Sequence, residues 1–538
     1  MPKESRLRMF PALRIDGKVI KGQANDSHMT ISTEHPNPPD SARGFVVGGQ
    51  FLTRKQALGF LKTNDPETYR KLPKEALRIG LHSEFLAKAL GIKQKPLAVE
   101  IIAEAKDEHK EAPKPVDLSK MTVVIYDRGL YTYMAEFLAR FYGKVKYYRH
   151  DSEIYPQGAQ CQVGKGIPGV EWINDFWGNI DDADVIFFPY VFDGKVQDYL
   201  RGKGYPVCGS GTSERIEHDK LFLKKELKKL GMPVAPHYEA TGLDDLESYL
   251  EGKKEKYVVK SIEAYRGDWE TTSYKNAFAF KSYVNNVRQH VGPERAKEMK
   301  FIVESWVESE CETGCDGFML GGELAPWPTI GFEVKDEGYI ARAVKHLPEI
   351  IQDGMTRMIP LYKSLGGQGT PYSNENRITK EGTTFRTDDT WRCGNPPTCT
   401  MIEMYGEQYA HAIYCLAHNQ MPEMKKPDFE YGAEIVLQSV WYIKNELHVG
   451  CPKDFGKYIK LNNMYIRDGQ RYCDPVLSQD DVSYFGSIVG VGHTLKEATE
   501  MALEKIKELD VYKLNYCENI FDQCGEVLKV GAKFGVVL

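Results

Sequence analysis

The spacing of apolar and polar residues changes period along the chain. MTVVIYDRG, residues 121–129, is an apolar, β-branched run closed by Gly129; LYTYMAEFLARFYG then repeats apolar residues at helical spacing before a second run, VKYYRH. This predicts a β-α-β beginning. Two later runs, DADVIFFPYV and YPVCGS, are bounded by charged residues or glycine and read as further buried strands, so residues 121–210 are expected to form an open parallel α/β sheet. Apolar residues at Ile216, Leu223, Leu227 and Leu230, stopping at Gly231-Met232-Pro233, predict one amphipathic helix from Glu214 to Leu230. From there to about residue 445 strands, loops and helices mix as α+β. SYFGSIVGVGHTLKEATEMALEKIKEL closes the chain as strand, turn and helix, with Thr494 and Glu497 at capping-box spacing and Ala498, Met501, Ala502 and Leu509 on one apolar face. Toward the N-terminus, PALRIDGKVIKG reads as a hairpin with Asp16-Gly17 at its turn, followed by a polar, Pro-rich stretch and a helical segment.

At 538 residues the chain exceeds one core and is expected to hold three or four domains of roughly 100–200 residues. The pattern divides it into an accessory domain at 1–104, a charged, Pro-containing linker at 105–120, and units at 121–210, 211–445 and 446–538. Hydrophobic residues at 42% and charged residues at 27% are those of a folded soluble protein. A net charge of −6 without a basic block argues against a nucleic-acid partner. Eleven cysteines, odd in number and scattered, read as reduced cytosolic thiols, and none makes the C-x2-C pair of a structural zinc site. MPKESRLRMF lacks the apolar core of a signal peptide, and VIFFPYV falls short of the roughly 20 residues a membrane span needs. A soluble, cytoplasmic protein without membrane partners is expected; a homo-oligomer is left open.

Three stretches carry candidate chemistry. Tyr257-Val258-Val259-Lys260 is a short strand ending in a cation, suited to a phosphate, although a solvated strand-end lysine reads the same. The loop behind it, Ser261–Trp269, has one glycine where a phosphate-covering flap uses several. FIVESWVESECE offers Glu304 and the backbone at Trp306-Val307 to an adenine edge, with Glu310 or Glu312 for ribose hydroxyls; an acidic, solvated strand fits the same letters. Glu375 in PYSNENRIT and Asp388 in FRTDDTWRCGNPPT flank the turn Lys380-Glu381-Gly382. Adjacent antiparallel strands would bring both carboxylates to one Mg²⁺, whereas two exposed acids beside a hairpin is the other reading. Arg386 and Arg392 suit either phosphate oxygens or these acids.

In their order these pieces resemble the ATP-grasp superfamily, and within it the phosphoribosylamine–glycine ligase family of purine biosynthesis. ERIEHDKLFLKKELKKLGMPVAP resembles that family's helix with its Gly-Ile-Pro turn, placing Lys220 and Lys224 one turn apart; YVVKS resembles its phosphate-lysine strand, FIVESWVESE its adenine hinge, RTDDTWRCGNPPT its metal strand and FGSIVGVGHTLKEATEMALEKI its closing domain. The likeness spans about 121–538. GFVVGGQFLTRKQAL with LHSEFL resembles a short domain of phage-associated proteins. The resemblance implies a Rossmann-like pre-ATP-grasp domain, a two-lobed ATP-grasp domain and a small C-terminal α+β domain behind the accessory one. It implies ATP and Mg²⁺ (or Mn²⁺), with Lys224 and Lys260 on the phosphates and Glu304, Trp306 and Val307 at adenine. Glu310 would hold ribose, with Glu312 as the fallback, Glu375 and Asp388 would hold metal, and Arg392 would face the transferred phosphoryl group. The implied reaction is ATP-dependent carboxylate–amine ligation through an acyl phosphate, releasing ADP and phosphate, on small-molecule substrates. The family's Gly-Gly-Arg-Glu-His motif is replaced here by YDRGLYTYMAEF, its glycine-rich substrate loop is shortened to APWPTIGFEVKDEGYIAR, and its metal-site Asn is Thr390, with Asn395-Pro396-Pro397 in place of Asp-Pro-Glu. These departures point to a different substrate pair. Two rivals remain: an ATP-binding protein without turnover, and a nicotinamide-dependent dehydrogenase built on the β-α-β start, which lacks G-x-G-x-x-G.

Overall fold

The computed structural model describes residues 116–150, 162–262, 271–274, 277–475 and 483–538, together with Lys62 and the strands β1 (Met29–Thr30), β2 (Arg43–Val47) and β3 (Gln50–Thr53). Two compact units form: Met1–Val116 with Tyr199–Gly204, and Asp117–Asp198 with Tyr205–Leu538. In the first, β1, β2 and β3 make an antiparallel sheet. The hairpin expected at Asp16-Gly17, the helical segment after it and the loop Glu263–Trp269 lie outside the described residues.

The second unit opens with five parallel strands, β4 (Thr122–Asp127), β5 (Lys144–Arg149), β6 (Val170–Ile173), β7 (Val185–Phe187) and β8 (Val207–Cys208), ordered β6-β5-β4-β7-β8. Val123, Val124, Ile125, Val185 and Ile186 are fully buried, which is why these runs show no polar alternation. The expected β-α-β start is present, with helix Thr132–Leu138 between β4 and β5. β6 is a strand that the pattern did not mark.

Next come β9 (His237–Thr241), β10 (Tyr257–Ser261), β11 (Thr271–Tyr274) and β12 (Lys300–Ser305), an antiparallel sheet ordered β11-β10-β12-β9. Strand alternation sorts its faces. Tyr257, Val259, Phe301 and Val303 join a core with Leu243, Leu246 and Leu250 of one helix and Phe280, Val284 and Val287 of another. Lys260 and Glu304 take the other face.

A large sheet follows, built from β13 (Cys311–Leu320), β14 (Glu323–Leu324), β15 (Thr329–Val334), β16 (Gly338–Ala343), β17 (Thr370–Ile378), β18 (Thr384–Thr390), β19 (Tyr431–Ser439), β21 (Ile459–Leu461), β24 (Tyr484–Gly492) and β26 (Leu514–Asn515). Its path is β18-β17-β13-β15-β16-β19-β24-β21, with β14 on β13 and β26 on β19. The sheet continues past residue 445, where the C-terminal unit was expected to begin. β20 (Leu447–Gly450), β22 (Met464–Arg467), β23 (Gln470–Cys473) and β25 (Asp510–Val511) form a small sheet of their own.

Two helices differ from expectation. The helix predicted over Glu214–Leu230 is two, Arg215–His218 and Lys220–Lys229, because Asp219 leaves helical geometry (φ −95, ψ 78) and its carboxylate caps the second by accepting from Phe222 N at 2.9 Å. At the C-terminal end, Thr494 caps helix Leu495–Lys505 as predicted, accepting from Glu497 N, and Ala498 and Ala502 are buried. Leu509 lies beyond that helix, and Ile506 of the following turn is buried in its stead.

β17 and β18 pair Glu375 with Asp388 but Asn376 with Arg386, leaving Thr387 as an extra residue, a β-bulge. Arg386 and Asp389 thereby share the buried face, 2.8 Å apart with no solvent exposure. Arg386 Nη1 also donates to Tyr372 Oη at 2.8 Å, and Tyr362 Oη donates to Asp389 Oδ2 at 2.7 Å. Arg386 is thus a core residue, paired with neither predicted metal acid. Replacing it alone, as in Arg386→Leu, strands Asp389 in the core and should cost about 3–5 kcal/mol in urea unfolding. Arg386→Met with Asp389→Leu should recover most of that loss.

Candidate functional site

On the face of the four-stranded sheet away from its helices, two lysines converge on one acid. Lys260 and Glu304 stand diagonally across β10 and β12, with Nζ 3.6 Å from Oε1. Lys224 reaches the same oxygen at 2.9 Å from helix Lys220–Lys229. Burial works against the Glu304 charge, but Lys260 and Lys224 outweigh it and hold its carboxyl below the ordinary range. Burial also lowers Lys224, and Glu304 partly restores it. Beyond Glu304 the chain runs into Trp306, whose N–H donates to Lys256 O at 3.1 Å and whose ring lies 5.5 Å from the Lys256 ammonium. Val307 follows, half-buried.

The large sheet supplies the acids. Glu375 and Asp388 are direct cross-strand partners, as the turn at Lys380–Gly382 implied. Thr387, the bulged residue, donates its hydroxyl to Glu375 Oε1 at 2.5 Å. Burial raises Glu375, but Thr387 and Arg377 reverse this, and its carboxyl titrates below the usual value. Asp388 keeps one side open to solvent, yet surrounding protein, then Glu217 and Glu375, push it up to about 6. Glu312 faces Arg377 across β13 and β17, 3.1 Å away, and burial with the Glu375 charge pushes it up to about 7. Glu310, the first choice for ribose, is exposed ahead of β13, 3.9 Å from Lys533 of the last helix. Thr390 is buried opposite Ser373.

Arg392 is held rigidly: Nε and Nη2 donate to Glu217 Oε1 at 3.1 and 3.0 Å, and Nη1 donates to Tyr131 Oη at 2.9 Å and Cys393 O at 2.8 Å. The structure therefore gathers Lys224, Lys260 and Glu304 in one cluster and Glu312, Glu375 and Asp388 in another. Trp306 lies beside the second, its ring 5.7 Å from the Arg377 guanidinium. Sequence reasoning missed Glu217, Tyr131 and Arg377. Alternation in Glu375-Asn376-Arg377 would have revealed Arg377; Glu217 and Tyr131, 175 and 261 residues from Arg392, left no signal.

Among the described residues no three His, Cys, Asp or Glu side chains make a ready metal cage. Two facing carboxylates, one crowded by further like charge, nonetheless fit Mg²⁺, which takes one or two carboxylates and completes its shell with water and phosphate oxygens. No described helix is long and apolar enough to cross a membrane.

No protein-family model matches the sequence, and no curated protein matches it. Among solved structures, phosphoribosylamine–glycine ligase from Thermotoga maritima is similar over 74% of this chain and 99% of its own, at 15% identity and a TM-score of 0.56. The biotin carboxylase domain of Hydrogenobacter thermophilus 2-oxoglutarate carboxylase, solved with MgADP, ADP and bicarbonate, is similar over 76% of this chain and 99% of its own, at 11% identity and a TM-score of 0.52. The likeness is one of fold: the chain has the ATP-grasp fold.

If Glu375 and Asp388 hold a cation, it competes with the proton on Asp388, and Mn²⁺ binding followed by calorimetry should weaken as pH falls through about 6, by up to roughly tenfold per unit for one linked proton. Asp388→Asn should remove most binding at every pH.

Proposed function

We propose that this protein is an ATP-dependent ligase that phosphorylates a small-molecule carboxylate and joins it to an amine. One observation carries the reading: within the ATP-grasp fold, Lys260 of the four-stranded sheet and Lys224 of the helix packed over it, both suited to phosphates, lie on one side of the hinge at Trp306 in the chain, and the facing Glu375–Asp388 pair suited to metal stands on the large sheet that follows it. Lys224 and Lys260 take the phosphates in exchange for Glu304. Trp306 N–H is already engaged, so adenine is assigned to the backbone at Val307. Glu312, on the metal-acid face, is preferred to Glu310 for ribose. Glu375 and Asp388 would hold Mg²⁺, which supplies charge neutralisation on the terminal phosphates. Arg392, locked by Glu217 and Tyr131, presents fixed positive charge to the transferred phosphoryl group. Most of the acceleration then comes from positioning and preorganised charge.

The similar structures support this direction: one is a phosphoribosylamine–glycine ligase and the other was solved with MgADP, ADP and bicarbonate. The dehydrogenase reading loses ground at the turn after β4. The N–H groups of Gly129 and Tyr131, which a dinucleotide's pyrophosphate would use, donate instead to Asp127 Oδ2 at 3.0 and 3.1 Å. Thr390, buried and facing Ser373, adds no metal ligand, which favours a metal held by two carboxylates and is the observation behind an ATP-binding protein without turnover.

ADP release measured over a panel of acids and amines separates these readings. Turnover that requires both an acid and an amine is expected, and Lys260→Ala and Asp388→Ala should each lower it roughly a hundredfold or more. Thermal stabilisation by ATP with no ADP formed from any pair would instead support binding without turnover, and near-normal rates in either variant would sink the site assignment.

A further inference from the structure

We propose that Arg377 is a positioning residue that makes the nucleoside and metal halves of this site compete for its guanidinium. The proposal rests on the reading of Glu312 as the ribose acceptor and Glu375 as a metal ligand. Arg377 lies on β17 directly opposite Glu312 of β13 and two residues along the same face from Glu375, so the pleat aims its guanidinium between the two carboxylates. Nη2 is 3.1 Å from Glu312 Oε2. Nε is buried without a hydrogen bond and stops 3.6 Å from Glu375 Oε1. The same cation stands 5.7 Å from the centre of the Trp306 ring, the aromatic residue of the hinge. One side chain touches all three subsites and satisfies none of them fully, since a guanidinium bonds best when its fork closes on one carboxylate.

Occupying either acid shifts that balance. Ribose hydroxyls donating to Glu312 displace Nη2, and the guanidinium closes on Glu375, where it opposes a divalent cation. A divalent cation on Glu375 repels the guanidinium toward Glu312, where it competes with ribose. Adenosine and metal are therefore antagonists through Arg377, and the coupling is reciprocal. A nucleoside triphosphate escapes the antagonism because its oxygens bind metal and lysines together. Arg377 thus favours metal arriving with the nucleotide over metal binding alone.

The test uses Mn²⁺ as probe on the full chain, free Mn²⁺ being read by electron paramagnetic resonance with and without saturating adenosine. In the unaltered protein adenosine should weaken Mn²⁺ binding about threefold or more. Arg377→Met should bind Mn²⁺ at least about threefold more tightly and respond no longer to adenosine, whereas a merely structural loss would weaken binding. Arg377→Lys, which keeps the charge but cannot span both acids, should restore the weaker affinity without the adenosine response, and it keeps the test decisive if the methionine variant does not fold. Adenosine dependence that persists in both variants, or is absent from the unaltered protein, overturns the proposal. Glu375→Gln tests the underlying reading separately: if Mn²⁺ binding is unchanged in that variant, the metal assignment fails and the proposal fails with it.

Discussion

The bulge at Thr387 sets the geometry on which the acidic half of the site depends. In a regular strand, residues three apart face opposite sides, so Arg386 and Asp389 would be split between core and solvent. The extra residue returns both to the core, where they pair with each other and with two tyrosines. The same irregularity turns Thr387 and Asp388 outward together, one bonding Glu375 and the other facing it. A one-residue slip would put Asp388 in the core and a core residue in the site. The buried ion pair resists that slip, because any other register leaves a desolvated charge without its partner.

On the site side Lys224, Lys260, Arg377 and Arg392 are each paired with a carboxylate, whereas Asp388 is crowded by Glu217 and Glu375. Lys224 and Lys260 share the Glu304 carboxylate, Arg377 is divided between Glu312 and Glu375, and Arg392 is bound by Glu217. In a half-buried setting unpaired charges of this number would be costly. The internal pairs offset that cost and keep the side chains ordered. The two lysines against one acid leave one positive charge in surplus, which favours a phosphate over a neutral ligand.

This arrangement explains which parts were legible in the sequence. Strand period put Lys260 and Glu304 on one face, because a period of two leaves no freedom once one face is buried. The turn at Lys380–Gly382 brought the Glu375 and Asp388 strands together, but a regular register would set Glu375 opposite Thr387, and it is the bulge that sets it opposite Asp388. The β-α-β opening was readable from unbroken apolar runs. The helix break was not, because Ile216 and Leu223 keep helical spacing across Asp219 and a local cap overrides it. Glu310 and Glu312 were both open in the letters, because residues two apart share a face of an extended chain; the structure leaves Glu310 exposed ahead of β13 and sets Glu312 opposite Arg377. Tyr131 and Glu217 reach Arg392 from elements far away in the chain, and contacts of that kind carry no periodic signature.

Arg392 shows how those distant contacts bear on chemistry. A guanidinium has five N–H groups. One at Nε, two at Nη1 and one at Nη2 are engaged by Glu217, Tyr131 and Cys393 O, four of the five among the described residues. An arginine so restrained cannot swing onto its target as a mobile finger does. It offers a fixed direction and one remaining donor. On the reading proposed above, the burden of aligning the phosphates would fall on Lys224, from its helix, and Lys260, from the smaller sheet. Arg392 follows β18 of the large sheet and Lys260 stands on the smaller one; between the two sheets the chain passes through Trp306, whose ring lies 5.5 Å from the Lys256 ammonium and 5.7 Å from the Arg377 guanidinium.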